Sequence, residues 1–278
     1  MADAARSNSG LVVRLLRYLG DRAINVLEHI GTLWFLLMES VSWIVRRFTQ
    51  KRVRLGRPAM IAQIVRVGVS SVFIVVLVSG SIGFILGLQM APPLDRLGQV
   101  ELVPNIIAVA VLRELGPLIA AIVLVGFAGA SIAAEIGTMV VGEEVEALEA
   151  HALNPVRFLV LPRVIATVVS LVCLAVISNI AAIFSAAVMS KIMLNISWVT
   201  YYNNTLAQVQ PRDFITGLIK AGVFGLLLGL IACGNGLKVT GGAAGVGKAT
   251  TSTVVESIVA VIFADLIFTT VFYALGLG

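Results

Sequence analysis

Two adjacent ionisable residues, Arg113 and Glu114, stand in an otherwise apolar run that reads LRELGP over 112–117. A second polar passage, AAEIGT, covers 133–138, and an acid-rich one, EEVEALEAHALNPVRFLVLPR, covers 143–163. In a hydrocarbon setting charge persists only where it is paired, wet or used, so these passages mark the working part of the chain. An arginine fork can bond phosphate oxygens bidentately. Carboxylates at such depth are the groups by which a carrier couples to ions. Other chemistry is harder to assemble. Residues 242–248 fit GxxxxGK, but Ala249 stands where Ser or Thr must bind magnesium, and an apolar span precedes the motif where a strand is required. The passage reads as a glycine-rich turn, and ATP hydrolysis by this chain is not expected. His29 and His151 are the only histidines, and they form no metal or nucleophile constellation.

These residues must be positioned by helices in a membrane. Hydrophobic residues make up 59% of the 278 and charged ones 13%, with a mean hydropathy of +1.01. Soluble domains average about 25% charged. A helix needs roughly 20 apolar residues to cross a hydrocarbon core, and five runs qualify: 66–90, 104–134, 164–194, 214–235 and 254–277. The expected class is therefore an all-α integral membrane protein, with a terminal region over 1–57 and a polytopic domain over 58–278. Arg113, Glu114 and Pro117 predict a bent or irregular second span. Counted from Pro104, the two charges lie roughly 14 Å deep at 1.5 Å per residue. Left unpaired they would cost about 5–7 kcal/mol together on insertion scales. Two readings stay open: a structural ion pair with Lys220 or Asp265, or a polar lining of a cavity. Cys173 and Cys233 fall inside spans and imply no disulfide.

Orientation follows from the Lys/Arg bias. Residues 1–66 hold eleven, and Arg157, Arg163, Lys238 and Lys248 bring that side to fifteen, while only Arg96 and Arg212 lie on the other. The N-terminus is thus expected in the cytoplasm and the C-terminus outside. The net charge of +5 reflects this bias toward an anionic leaflet and gives no reason to invoke nucleic acid.

Between residues 12 and 30 the apolar positions keep helical spacing, with Arg14, Arg17, Asp21, Asn25 and Glu28 opposite them. This predicts an amphipathic helix lying in the interface. The next stretch, 30–45, contains Glu39 and is short for a span, so it is expected to be interfacial or re-entrant. Gly83 and Gly87, like Gly225 and Gly229, form GxxxG pairs that allow close helix approach, within the chain or against a second copy. Over 143–151 a short helix is expected outside the membrane. Val145 and Leu148 lie on its apolar edge, and Glu143, Glu144, Glu146 and Glu149 on the remainder. Either it is merely solvated or it docks a cytosolic partner, and the unburied apolar edge favours docking. Asn154-Pro155 supplies a cap and first turn for the next helix.

Taken in order, LGLQ at 86–89, LRELGP at 112–117, AAEIGTM at 133–139, EALEAHALNPVRFLVLPR at 146–163, KAGVFGLLLGLIAC at 220–233 and GVGKATT at 245–251 resemble the MlaE/YrbE permease family. That family provides the membrane subunit of ABC transporters linked to MCE proteins, and the resemblance covers residues 58–273. It implies lipid transport, two copies of the chain, cytosolic ATPases beneath them and an MCE-domain protein on the far side. Lipid would occupy a cavity between the copies. ATP and magnesium would bind the ATPase, with no cofactor in this chain. The coupling helix falls on 143–152, and Gln89, Arg113 and Glu114 become lipid-pathway candidates. A bacterial inner membrane is the expected location. The chain departs from the family pattern at Phe127, where arginine is usual in a GR-[VA]-G stretch, and at Gly142-Glu143-Glu144, where Thr-Glu-Gln is common.

A competing reading is a self-contained ion-coupled transporter using Arg113, Glu114, Glu135 and Asp265. It would need no ATPase, but no inverted repeat is evident. A membrane scaffold without transport is a third. Five crossings with the N-terminus inside predict that cysteines placed at Ser7 and Gly278 react with impermeant reagents from opposite sides. Labelling of both from one side would eliminate this topology.

Overall fold

The computed structural model describes residues 27–46 and 57–276, together with positions 20, 21 and 24. The amphipathic stretch predicted over 12–30 falls mostly outside the described residues. Every regular element among those described is helical, as expected where no water can serve backbone N–H and C=O groups and each helix must close its own hydrogen bonds. Five helices are long and apolar enough to cross a membrane: α2 (Pro58–Arg96), α3 (Val100–Val141), α5 (Val156–Met193), α7 (Pro211–Leu237) and α8 (Gly242–Ala274). Helix α1 (27–46) precedes them. Two short helices, α4 (Glu144–Ala150) and α6 (Trp198–Gln208), lie in connections.

All five are longer than the apolar runs read from sequence, because each helix continues into polar residues beyond its run, and α7 is capped where it starts. Pro211 opens α7 at a first-turn position, and Gln210 with Asp213 forms a capping box ahead of it. The glycine-rich turn predicted over 241–251 is largely helix instead. Only Gly241 and Gly242 have positive φ there, and α8 begins at Gly242, followed by alanines that favour helix. The connection before it shrinks to a few residues. Helix α6 has no counterpart in the sequence reading. Its signal is Ser197, whose hydroxyl accepts from the Thr200 N–H at the helix start.

Helix α5 is the centre of the bundle and packs against α2, α3 and α7. About half of the apolar core of α3, α5 and α7 is buried (56%, 50% and 56%), against 22% for α2 and 17% for α8. The last two therefore form the periphery. With lipid as solvent, close packing replaces hydrophobic burial as the basis for helix association. Gly83 and Gly87 let α2 settle onto Ala182 and Met189 of α5, and Gly225 and Gly229 bring α7 against Val164, Thr167 and Val168 of the same helix. Between α2 and α5, the Ser79 and Ser178 hydroxyls lie 2.7 Å apart.

The second span is irregular without being broken. Its charged passage is taken up as a π-helical turn, Val111–Leu115, and a second such turn, Val125–Gly129, contains Phe127. A third, Val156–Val160, opens α5. One inserted residue in each rotates the side chains that follow, and such turns recur at functional sites.

A Cβ on Gly83 would overlap the backbone of Ala182, whereas one on Gly80 would meet its nearest atom at 3.9 Å. Gly83→Ala should therefore cost about 1–3 kcal/mol of stability, and Gly80→Ala should be nearly neutral. Thermal unfolding of the two purified variants in detergent measures the difference.

Candidate functional site

Connectivity sets the first charged cluster. Arg113 and Glu114 lie 13–14 residues into α3, Lys220 nine into α7, and Asp265 nine before the end of α8. Those three helix ends share one side of the bundle, so the residues meet at similar depth, roughly 14–20 Å along their helices. Adjacent on the π turn, Arg113 and Glu114 point apart and take different partners. Arg113 donates from Nε to Asp213 Oδ1 at 2.7 Å, with Nη2 2.6 Å from the same oxygen. Asp213 is itself buried and accepts the Gln210 N–H through its other oxygen at 2.8 Å, so one carboxylate both caps α7 and holds α3. Glu114 accepts from Lys220, whose ammonium also reaches Asp265 Oδ1 at 2.9 Å and Thr269 Oγ1 at 2.8 Å. Thr269 donates on to Glu114 Oε1 at 3.1 Å.

Of the two readings left open for this pair, the ion pair is present for Glu114, with Lys220 bridging it to Asp265. The partner of Arg113 was not anticipated. Asp213 lies one hundred residues away, and in sequence it announces only a helix start. Gln89 is exposed on α2, and no hydrogen bond joins it to Arg113 or Glu114 among the described residues.

A second ionic cluster occupies the opposite, Lys/Arg-rich side. Glu135 of α3 lies 3.1 Å from Arg66 of α2 and 3.2 Å from Arg163 of α5. Arg163 is buried and donates to the Leu159 carbonyl at 2.8 Å. Beside this cluster a small cleft opens between α2 and α3, lined by Gln63, Arg66, Ser131 and Glu135, with Phe127 on its wall. The site where the family pattern usually has arginine thus presents an aromatic ring next to an arginine from another helix.

Between α3 and α5 stands α4, shorter than the predicted 143–152. Glu143 is its N-cap in the left-handed region, and the helix stops at Ala150. Glu143, Glu144, Glu146 and Glu149 are exposed, while Val145 and Leu148 are half-buried. Asn154 caps the next helix as expected, its Oδ1 accepting from the Arg157 N–H at 3.0 Å.

Five helices long and apolar enough to span a membrane, two ionic clusters between them and one short acidic helix in a connection define a multi-pass membrane protein. A family model described as permease MlaE matches residues 60–271, and this chain belongs to that family of ABC transporter permeases. A probable ABC transporter permease protein of Rickettsia felis is 32% identical over 263 residues, covering 95% of this chain and 99% of the relative. Protein TRIGALACTOSYLDIACYLGLYCEROL 1, chloroplastic, of Arabidopsis thaliana is 34% identical over 211 residues, 76% of this chain and 60% of the plant protein. A probable ABC transporter permease protein of Synechocystis is 33% identical over 212 residues, 76% of this chain and 81% of the relative.

Lys220 is the only cation in contact with both Glu114 and Asp265 among the described residues. Lys220→Met leaves two carboxylates facing each other, and removing one partner of a buried pair costs about 3–5 kcal/mol. A sharply lowered unfolding midpoint is expected, with partial recovery in Lys220→Met/Asp265→Asn. A wild-type midpoint in the single variant would show that water already solvates the cluster.

Proposed function

We propose that this chain is the membrane subunit of an ATP-driven lipid transporter in a bacterial inner membrane, working as two copies with a cytosolic ABC ATPase and an MCE-domain protein on the opposite face. The observation that carries this reading is α4. It is a separate short helix on the side where Lys and Arg accumulate, and it offers an acidic surface around a small apolar edge. The bundle gives it almost nothing to pack on beyond the end of α3. That shape suits a groove in a soluble partner, with Val145 and Leu148 as apolar contacts and Glu143, Glu144, Glu146 and Glu149 for orientation. ATP and magnesium belong to that partner.

The lipid pathway in this reading passes the outer ionic cluster. Asp213 engages Nε and Nη2 of Arg113, which leaves Nη1 for a phosphate oxygen. Glu114 stays about one-third exposed despite its ion pair. Gln89 adds a neutral hydrogen-bonding group near the outer end of α2. A phospholipid or related lipid fits these groups, with a phosphate oxygen toward Arg113. The plant relative carries the name of a galactolipid, which agrees with lipid as the transported class.

Leu148→Arg should reduce ATPase co-purification and lipid-dependent ATP hydrolysis at least tenfold while membrane insertion stays normal. Pull-down of the tagged variant from solubilised membranes measures this, and undiminished ATPase binding would refute docking through α4.

A further inference from the structure

Helix α1 is tied to the root of the α4 segment by two side chains one turn apart, Glu39 and Trp43. Glu39 Oε1 accepts from Asn154 Nδ2 at 2.7 Å, so the residue that caps α5 is held from both ends of its amide. One turn later the Trp43 ring lies under two guanidinium groups, with Arg46 Cζ at 5.0 Å and Arg157 Cζ at 5.1 Å from its centroid. Glu39 was the one acid in an apolar stretch, and its partner stands just past the proposed docking helix.

The other end of α1 reaches different spans. Leu33 and Leu36 pack against Gly234 of α7, where an added Cβ would sit 3.1 Å from Leu33. His29 Nε2 lies 3.3 Å from Glu256 Oε2 of α8, and that carboxylate also accepts from Asn235 of α7 at 2.7 Å. From His29 to Trp43 the helix is stiff over roughly 20 Å. Its outward face, Leu27, Ile30, Trp34, Met38 and Val41, is apolar and exposed, as befits a rod lying against lipid.

Helix α4 itself is set off at both ends by left-handed turns that interrupt the regular helix. Glu143 precedes it and Ala152 follows it, both at φ 57. A push on α4 would be lost at these joints unless something stiff grips the chain just beyond them. We propose that α1 is that grip: a strap in which Glu39 and Trp43 act as positioning residues, passing displacement of the ATPase-docking segment from Asn154 and Arg157 to α7 and α8. This rests on the docking role argued above.

The test uses the whole complex with its ATPase, reconstituted in vesicles of radiolabelled total lipid from the producing cells. ATP hydrolysed and label moved to acceptor vesicles are measured together. Glu39→Ala should keep ATPase association and hydrolysis within about twofold of wild type while label moved per ATP falls at least fivefold. Glu39→Gln retains an acceptor for Asn154 and should restore most of the loss. Should Glu39→Ala fail to reach the membrane, Trp43→Leu against Trp43→Phe makes the same decision, since Phe alone keeps a ring on α1 for Arg157, whose other ring contact, Phe158, lies on α5 itself. An unchanged yield per ATP in Glu39→Ala or Trp43→Leu, equal loss in Glu39→Gln, or loss that tracks ATPase dissociation would each overturn the strap. A wild-type complex that binds no ATPase or moves no label instead sinks the transporter reading, and the strap with it.

Discussion

A lysine ammonium buried among apolar helices dictates much of this fold. Lys220 has 1% of its side chain exposed, and an isolated charge of that kind is not tolerated in hydrocarbon. Its solution requires α3, α7 and α8 to bring Glu114, Asp265 and Thr269 to one point. Asp213, seven residues and nearly two turns before Lys220 on α7, then fixes Arg113. Two carboxylates on one ammonium leave a net negative cluster, and the adjacent Arg113–Asp213 pair is neutral in sum. Such an arrangement holds peripheral α8 to the interior while keeping hydrogen-bonding groups at a depth where a lipid headgroup has few other partners.

Close backbone contact does the rest. Lipid offers no hydrophobic incentive for helices to associate, so contact area must come from shape. The glycines and small residues of α2, α5 and α7 provide it, and they do so along α5 on two sides. Ions and small residues play complementary parts. Close packing builds the α2–α5–α7 interior, while ionic contacts add α8, whose faces are otherwise mostly exposed.

Sequence showed the class of fold and the number of spans, because unbroken apolar runs admit few alternatives. It also singled out α4 and the cap at Asn154, both of which are local signals. The partner of Arg113 was illegible, since Asp213 follows the proline of a helix start and its local role as a cap conceals its distant one. The turn predicted over 241–251 failed for a related reason: glycines were weighed as breakers, while the alanines among them favour helix once the chain has turned at Gly241. Glu39 could be flagged as out of place in its apolar stretch, but nothing local named Asn154 as the reason. Such contacts become visible only when the bundle brings distant segments together.

The two ionic clusters and α1 divide the molecule by depth. On one side Lys220 and its carboxylates join the span ends. On the other, Glu135 draws Arg66 and Arg163 together across three helices. Both clusters involve α3, whose first π turn, 111–115, carries Arg113 and Glu114 and whose second, 125–129, lies between the two clusters. A π turn carries one residue more than the helix around it, so the turn at 125–129 sets how Glu135 is rotated relative to Arg113 and Glu114. α5 opens with a third π turn at the point where Arg157 meets Trp43. Ionic contacts thus fix α3 at two depths, and π turns set the rotation of the side chains at and between them, so the displacement proposed for α1 would meet α5 at such a turn.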